Sequence, residues 1–355
     1  MIKSSISNHS WATEKNQILS SSQTNSPNTI PNNIESLQTL SQSIQYLEQV
    51  DSILAGIELH VSLFDHEFVG DGEYKELLDH QPVPFLPQSS NENRDENDSL
   101  TSSSQLYRTS TPFPLQNSLF RLHIKMYRQK SKASQENSSD NILEIVCDKD
   151  HRTLWTYSSI EGTKNLTQIN LEDLADALSR LNESERKELQ NKQVQLPCLM
   201  SGLPGLGGIS GMLKQLIYYY NFNASPVKTS IANGKIPVWK ISGELKSNFL
   251  NLYRKTILEG LSENDPISLG LTDNIPTHIE IYIGCETPFP YRLAYFSQMD
   301  EKRMVQKQLF LLEYTKIKIN SSFVREDDFI YRPPYITHER INEQYLQQLI
   351  PQIEF

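Results

Sequence analysis

Three extended runs between His278 and Ile319 follow one another with so little between them that this part of the chain has to build an antiparallel sheet. In HIEIYIGCE, Ile279, Ile281 and Ile283 alternate with His278, Glu280 and Tyr282, the period-two pattern of a strand with one buried face. Thr287-Pro288-Phe289-Pro290 then interrupts the ladder, because neither proline has an N–H to donate. The run YRLAYF follows, with Tyr291, Leu293 and Tyr295 on one face. After a polar turn at Met299–Lys302 comes a longer run, with Phe310, Leu312 and Tyr314 on one side and Leu309, Leu311, Ile317 and Ile319 on the other. Aromatic and β-branched residues dominate all three, so the fold is organised around this meander.

Upstream, the apolar positions Leu37, Leu40, Ile44, Leu47, Val50 and Leu54 recur at three and four, which predicts an amphipathic helix over 34–54 of about five turns. It feeds GIELHVSLF, a strand by its alternation, and Gly70-Asp71-Gly72 is expected to turn the chain into a short run, EYKELL. Further strands are expected at LFRLHIKM, NILEIVCD, TLWTYSSI and NLTQINL. Asn170 is the expected N-cap of a helix reaching about Leu189, with Asp173 three positions on. Asn233-Gly234 reads as a hairpin turn before PVWKISGEL. A helix is expected at 247–261 and a last polar one at 337–350. The total is roughly ten strands and five helices, segregated along the chain, so the class is α+β.

Composition sets the limits of this sheet. Met1 to Asn33 and Gln88 to Ser104 are Ser-, Asn- and Gln-rich, and both are expected to be disordered. The second tract lies within a proline-bearing insertion at 81–118, which cannot be a central strand. One domain is therefore expected over 34–355. The formal net charge of −10, without a basic stripe, argues against nucleic acid or an anionic membrane surface as partner. Cys147, Cys198 and Cys285 are too few and too far apart for a disulfide framework, and they read best as small buried residues, with one bridge left open. No run approaches the length of a membrane span. Residues 1–40 lack a basic stretch followed by an apolar one, so no signal peptide is read.

No catalytic motif emerges. GLPGLGGISG has glycines five apart at Gly202 and Gly207, but Gly208 stands where a phosphate-binding lysine should be, and no apolar strand leads into it. The cluster Cys147, Asp148, Asp150 and His151 lacks a second ligand pair and reads as a polar turn. Asp327-Asp328 and Glu172-Asp173 fit turns and helix starts better than paired catalytic carboxylates. Apolar surface is the more informative signal. Trp155, Trp239, Phe222, Tyr218-Tyr219-Tyr220 and the leucines between Pro197 and Gly208 exceed what one sheet face requires. They either fill a core or line a cavity.

The segments LEQVDSILAGIELHVSLF, EIVCDKDHRTLWTY, IEIYIGCETPFPYRLAYF and IKINSSFVREDDFIYRPP, in this order, resemble the LolA-like superfamily of bacterial lipoprotein carriers, over about Glu35 to Pro334. The likeness is to its larger uncharacterised members. It implies a half-closed antiparallel sheet wrapped around helices, an apolar cavity between the two for lipid or lipoprotein acyl chains, no cofactor, no enzymatic activity, a monomer, and a place in the periplasm or cell envelope. A cytoplasmic location stays open because no signal peptide is read. By position in the resemblance, Leu203, Leu206, Leu213, Leu216 and Tyr220 would form the lid, Trp155 and Trp239 the wall, with Phe222 beside them in the ligand-binding set. The alternative is a structural or protein-interaction module whose helices fill the sheet entirely, and a hydrolase is the third reading.

Overall fold

The computed structural model describes residues 33–63, 66–78, 118–128, 141–149, 152–180, 203, 207–257, 274–298, 306–334 and 336–340. All lie in the unit Asn32–Phe355. Helix α1 (Asn33–Leu47) is followed by strands β1 (Ser52–Leu63), β2 (His66–Leu78), β3 (Ser118–Arg128), β4 (Asn141–Asp148), β5 (Thr153–Ile160) and β6 (Thr163–Asn170). Next come α2 (Leu171–Ser179), α3 (Gly208–Tyr219), β7 (Tyr220–Asn221), β8 (Val227–Ile231), β9 (Ile236–Leu245) and α4 (Ser247–Ile257). The meander β10 (His278–Gly284), β11 (Pro290–Phe296) and β12 (Gln308–Ile319) precedes a short 3-10 turn at Glu326–Phe329 and β13 (Glu339–Arg340).

The strands form one sheet of thirteen, in the order β13-β6-β5-β4-β3-β2-β1-β12-β11-β10-β9-β7, with β8 also paired to β9. Every pairing is antiparallel except β13 on β6. β1 and β12 join the two meanders, so residues far apart in sequence meet at the middle of the sheet. One face carries the main core, from Cys147, Leu154 and Ile169 at one side to Ile241 and Ile279 at the other, and buries residues of α1 and α3 with it. The class is α+β, an open antiparallel sheet holding helices against one face.

Several expectations change. The first helix stops at Leu47, and Leu54 lies in β1, because Ile53 and Leu54 pair on both sides, with Glu76 and Lys75 of β2 and with Ile319 and Lys318 of β12. Gly70-Asp71-Gly72 is no turn: it lies inside β2, whose pairing with β1 begins at Leu63 and His66. The glycines are needed for close approach, since a Cβ at Gly72 would stand 2.0 Å from the His123 carbonyl oxygen. Ile317 and Ile319 pack against the same core as Phe310 and Tyr314, not opposite them. A register shift at Leu54/Gly56, with Lys316 at φ 50, is a β-bulge that flips the parity of β12 halfway. Glu339–Arg340 is a strand and not the start of a helix. Residues 341–350, the polar tract, Leu206, Cys198 and the helix extensions to Leu189 and Leu261 lie outside the described residues. Asn170 does cap α2, accepting from the Asp173 N–H at 2.9 Å.

The sheet's other face has its own cover. Val146, Trp155, Leu166 and Tyr331 form a second cluster there, backed by Tyr157 and Ile336. The segment after β12 crosses this face and is tied down by Lys75 to Asp328 at 3.0 Å and by the Arg121 guanidinium donating to the Asp328 carbonyl at 3.2 Å. Lys75→Ala is expected to cost only about 0.5 kcal/mol, because a partly exposed ion pair gains little against water. A small shift of the urea midpoint at unchanged slope would check this.

Candidate functional site

Helix α3 is the element that distinguishes this molecule from a bare sheet. Its sequence, GISGMLKQLIYY, puts Ile209, Met212, Leu213 and Leu216 on one stripe, and all are buried in the main core. Gly207 and Gly208 begin it at φ 83 and φ 62, left-handed values that glycine adopts without strain. At its far end the Tyr220 N–H bonds the Leu216 carbonyl, and the Lys246 ammonium donates to the carbonyls of Ile217 and Tyr218. A cation at a helix C-terminus is favourable. Lys214 pairs with Glu48 at 2.6 Å, holding α3 to the end of α1.

The N-terminus of α3 meets a carboxylate. Glu76, on the core face of β2 and only 6% exposed, accepts a hydrogen bond from the Tyr74 hydroxyl at 2.6 Å and one from the Ile209 N–H at 3.3 Å, both at Oε2. The carboxylate sits so close that a Cβ on Gly208 would stand 1.9 Å from Oε1. Burial pushes the Glu76 carboxyl up to about 7, against the opposing pull of the hydrogen bonds from Tyr74 and Ile209 and of the nearby Ser118 hydroxyl. Burial, and then the charge of Glu76, also hold the Tyr74 phenol well above its ordinary range. The glycine-rich start that invites a phosphate reading is thus occupied by the protein's own anion.

Two more hydroxyls lie in this neighbourhood. Tyr314, on the core face of β12, is 3% exposed, and its ring meets that of Tyr74 edge-on at 6.1 Å. Its phenol is pushed well up by burial and then by Glu76, so it lies within the field of the carboxylate. Ser118 opens β3 at 4% exposure, close enough to lower the proton affinity of Glu76. Neither hydroxyl makes a hydrogen bond of ordinary geometry among the described residues. Sequence reasoning missed Glu76, Tyr74, Tyr314 and Ser118. The available signal was parity: Tyr74 and Glu76 share the core face of β2, where a charge is out of place.

The sequence-derived set divides. Leu203, Leu213, Leu216, Tyr220 and Phe222 are brought together in the main core, all buried. The Tyr220 hydroxyl donates to the Pro276 carbonyl at 2.9 Å, and the Phe222 ring lies over Gly243, whose Cβ would stand 2.6 Å away. Trp239 shares this sheet face, paired with Ile283, but it is half-buried and stands apart from the packed cluster. Trp155 is on the opposite face. Its register partners Val146 and Gln168 place it among the second cluster, with Tyr331 at 5.8 Å and His338 at 5.5 Å between ring centres. Parity decides this: Leu154 faces the main core, so its neighbour cannot. Leu206 lies outside the described residues. Cys147 likewise faces the main core, and Asp148, next along β4, points the other way; Asp150 and His151 lie outside the described residues.

Among the described residues no group of three or more His, Cys, Asp or Glu side chains is placed to hold a metal ion. Nor is any helix among them long and apolar enough to cross a membrane.

No protein-family model matches the chain, and no curated protein does. Solved structures do. LprF from Mycobacterium bovis is similar at 10% identity and TM-score 0.33, over 80% of this chain and 93% of that one. The Pseudomonas aeruginosa MucA/MucB complex matches at 9% identity and TM-score 0.32, over 84% of this chain, which spans 61% of the chain it matches. A LolA superfamily protein from Nitrosomonas europaea matches at 8% identity and TM-score 0.23, over 84% of this chain and 98% of that one.

Proposed function

We propose that the protein is a non-enzymatic binder of acyl chains, carrying a lipid or the acyl group of a lipoprotein between the core face of the sheet and α3, in the cell envelope. The observation that carries this is the closure of that face. A thirteen-stranded sheet presents a continuous apolar surface, and part of it is covered by a short helix held at its ends by a few polar ties. Moving α3 would exchange helix side chains for ligand methylenes. Each buried methylene is worth about 0.8 kcal/mol, so an acyl chain can replace most of what the helix gives up. Leu203, Leu213, Leu216, Tyr220 and Phe222 would contact the chain, and Trp239 would stand near it.

A second reading has its own observation. Of the residues assigned to the lid, Leu203, Leu213, Leu216 and Tyr220 are packed in one cluster, as in a protein-interaction module with a filled interior. The two part company on binding. Gently purified protein, analysed by native mass spectrometry and titrated with a fluorescent sixteen-carbon fatty acid, is expected to carry or take up one acyl ligand. A clean apo mass together with no saturable probe binding would establish the filled module instead. Lys214→Ala removes the tie from α3 to α1 and is expected to shorten the probe's residence time about threefold, in line with a partly exposed ion pair worth under 1 kcal/mol. Stopped-flow displacement measures it.

A further inference from the structure

Inside this apolar interior one place is polar, and nothing in the acyl-binding reading uses it. The Glu76 carboxylate, the Tyr314 and Ser118 hydroxyls and the first amides of α3 occupy it, contributed by β2, β12, β3 and α3. A buried hydroxyl without a partner costs the full desolvation of that group, so native interiors leave few of them. Here two lie within the influence of one carboxylate. Among the described residues both hydrogen bonds to Glu76 go to Oε2. That leaves Oε1 able to accept. Among the described residues no cation acts on Glu76, and hydrogen bonds from Tyr74 and Ile209 offset its charge.

We infer that Glu76, Tyr314 and Ser118 form a headgroup subsite at the inner end of the acyl site, taking a neutral headgroup that donates hydrogen bonds, such as the glycerol hydroxyls of a monoacylglycerol. The inference rests on the acyl-binding reading. The chemistry selects the headgroup. A hydroxyl can donate to the carboxylate while accepting from the phenol or the serine, satisfying two groups at once. A fatty-acid anion would bring a second negative charge beside Glu76, without a cation to offset either. A methyl ester has the same chain but no donor.

The test compares monopalmitoylglycerol, palmitate and methyl palmitate, each below its aggregation threshold, with the full chain at pH 8. Displacement of a fluorescent acyl probe gives the affinities. Wild type should bind the glycerol ester about tenfold more tightly than the methyl ester and palmitate most weakly, since one satisfied buried hydrogen bond is worth about that factor. Glu76→Gln keeps the shape and removes the charge, so palmitate affinity should rise about tenfold. Tyr314→Phe should weaken only the glycerol ester, by about three- to tenfold. Equal binding of the three probes, with no change in ranking in either variant, overturns the subsite while the acyl site stands. Absence of binding by all three overturns the acyl-binding reading and the subsite with it.

Discussion

Gly208→Ala should destabilise the protein by about 2–5 kcal/mol, from a change of one methyl group. Two effects combine. At φ 62 a side chain crowds the following carbonyl, which costs roughly 1–2 kcal/mol. The new methyl would also lie 1.9 Å from Glu76 Oε1 and 2.4 Å from its Cδ, so the carboxylate must move. A surface glutamate would swing aside at little cost. Glu76 cannot, because leaving its place breaks the bonds from Tyr74 and Ile209 inside the core, worth about 1–3 kcal/mol if left unmade. Urea unfolding reads the loss. A double-mutant cycle with Glu76→Ala identifies its source: the two changes should couple by at least about 1 kcal/mol, since the clash disappears with the carboxylate. Simple additivity would assign the whole effect to backbone strain.

The same position shows how far local pattern reaches. The meander at His278–Ile319 was legible because each strand alternates cleanly and the turns between carry their own chemistry. Helix α3 was half legible: the stripe of Ile209, Met212, Leu213 and Leu216 announces a helix that must bury one side. What it buries against was not. Glu76 is 133 positions from Ile209, and pairing between them depends on β2 lying in the middle of the sheet, a consequence of β1 bridging to β12. No local rule carries that distance.

Other misreadings have equally particular causes. Gly70 and Gly72 look like a turn because glycine serves turns, yet here it serves close packing against the backbone of β3. Ile317 and Ile319 were assigned by strict alternation, and one bulge near Lys316 reverses it. Trp155 drew attention as a large aromatic, but a strand sends neighbours to opposite faces, and Leu154 takes the core side. The C-terminal segment that covers it contains Pro333 and Pro334, which give no periodicity to read. A sequence therefore reveals which residues need burial before it reveals which face of a sheet will bury them.

Raising pH from 5 to 8 should weaken the fold through Glu76, by about 3 kcal/mol if that carboxyl acted alone. Its proton is held up to about 7 in the native protein and near the ordinary 4.5 once unfolded. Between these values the native state binds the extra proton. The stabilisation is therefore complete below about 4.5 and is lost as pH rises through 7. His278 works the other way in part of this range. Burial lowers its affinity for a proton, so its contribution is present above its ordinary 6.5 and is lost as pH falls. Glu144 and Asp328, both lowered, lose their contributions only in the acid limb. The difference between wild type and Glu76→Gln cancels these backgrounds, and urea unfolding at intervals from pH 5 to 8 should show the stability of wild type relative to the variant fall steadily as pH rises. A constant difference would mean that the carboxyl is solvated in the folded protein. The same linkage acts on any motion of α3 that admits water to Glu76, since solvation returns the carboxyl to its ordinary range. Amide exchange in Met212–Leu216, corrected for the intrinsic rate, should therefore quicken between pH 6 and 8 in wild type and not in Glu76→Gln. On that account the carboxylate beneath α3 opposes the seating of the helix most strongly when ionised, and the tie that seats α3 is also what loosens it.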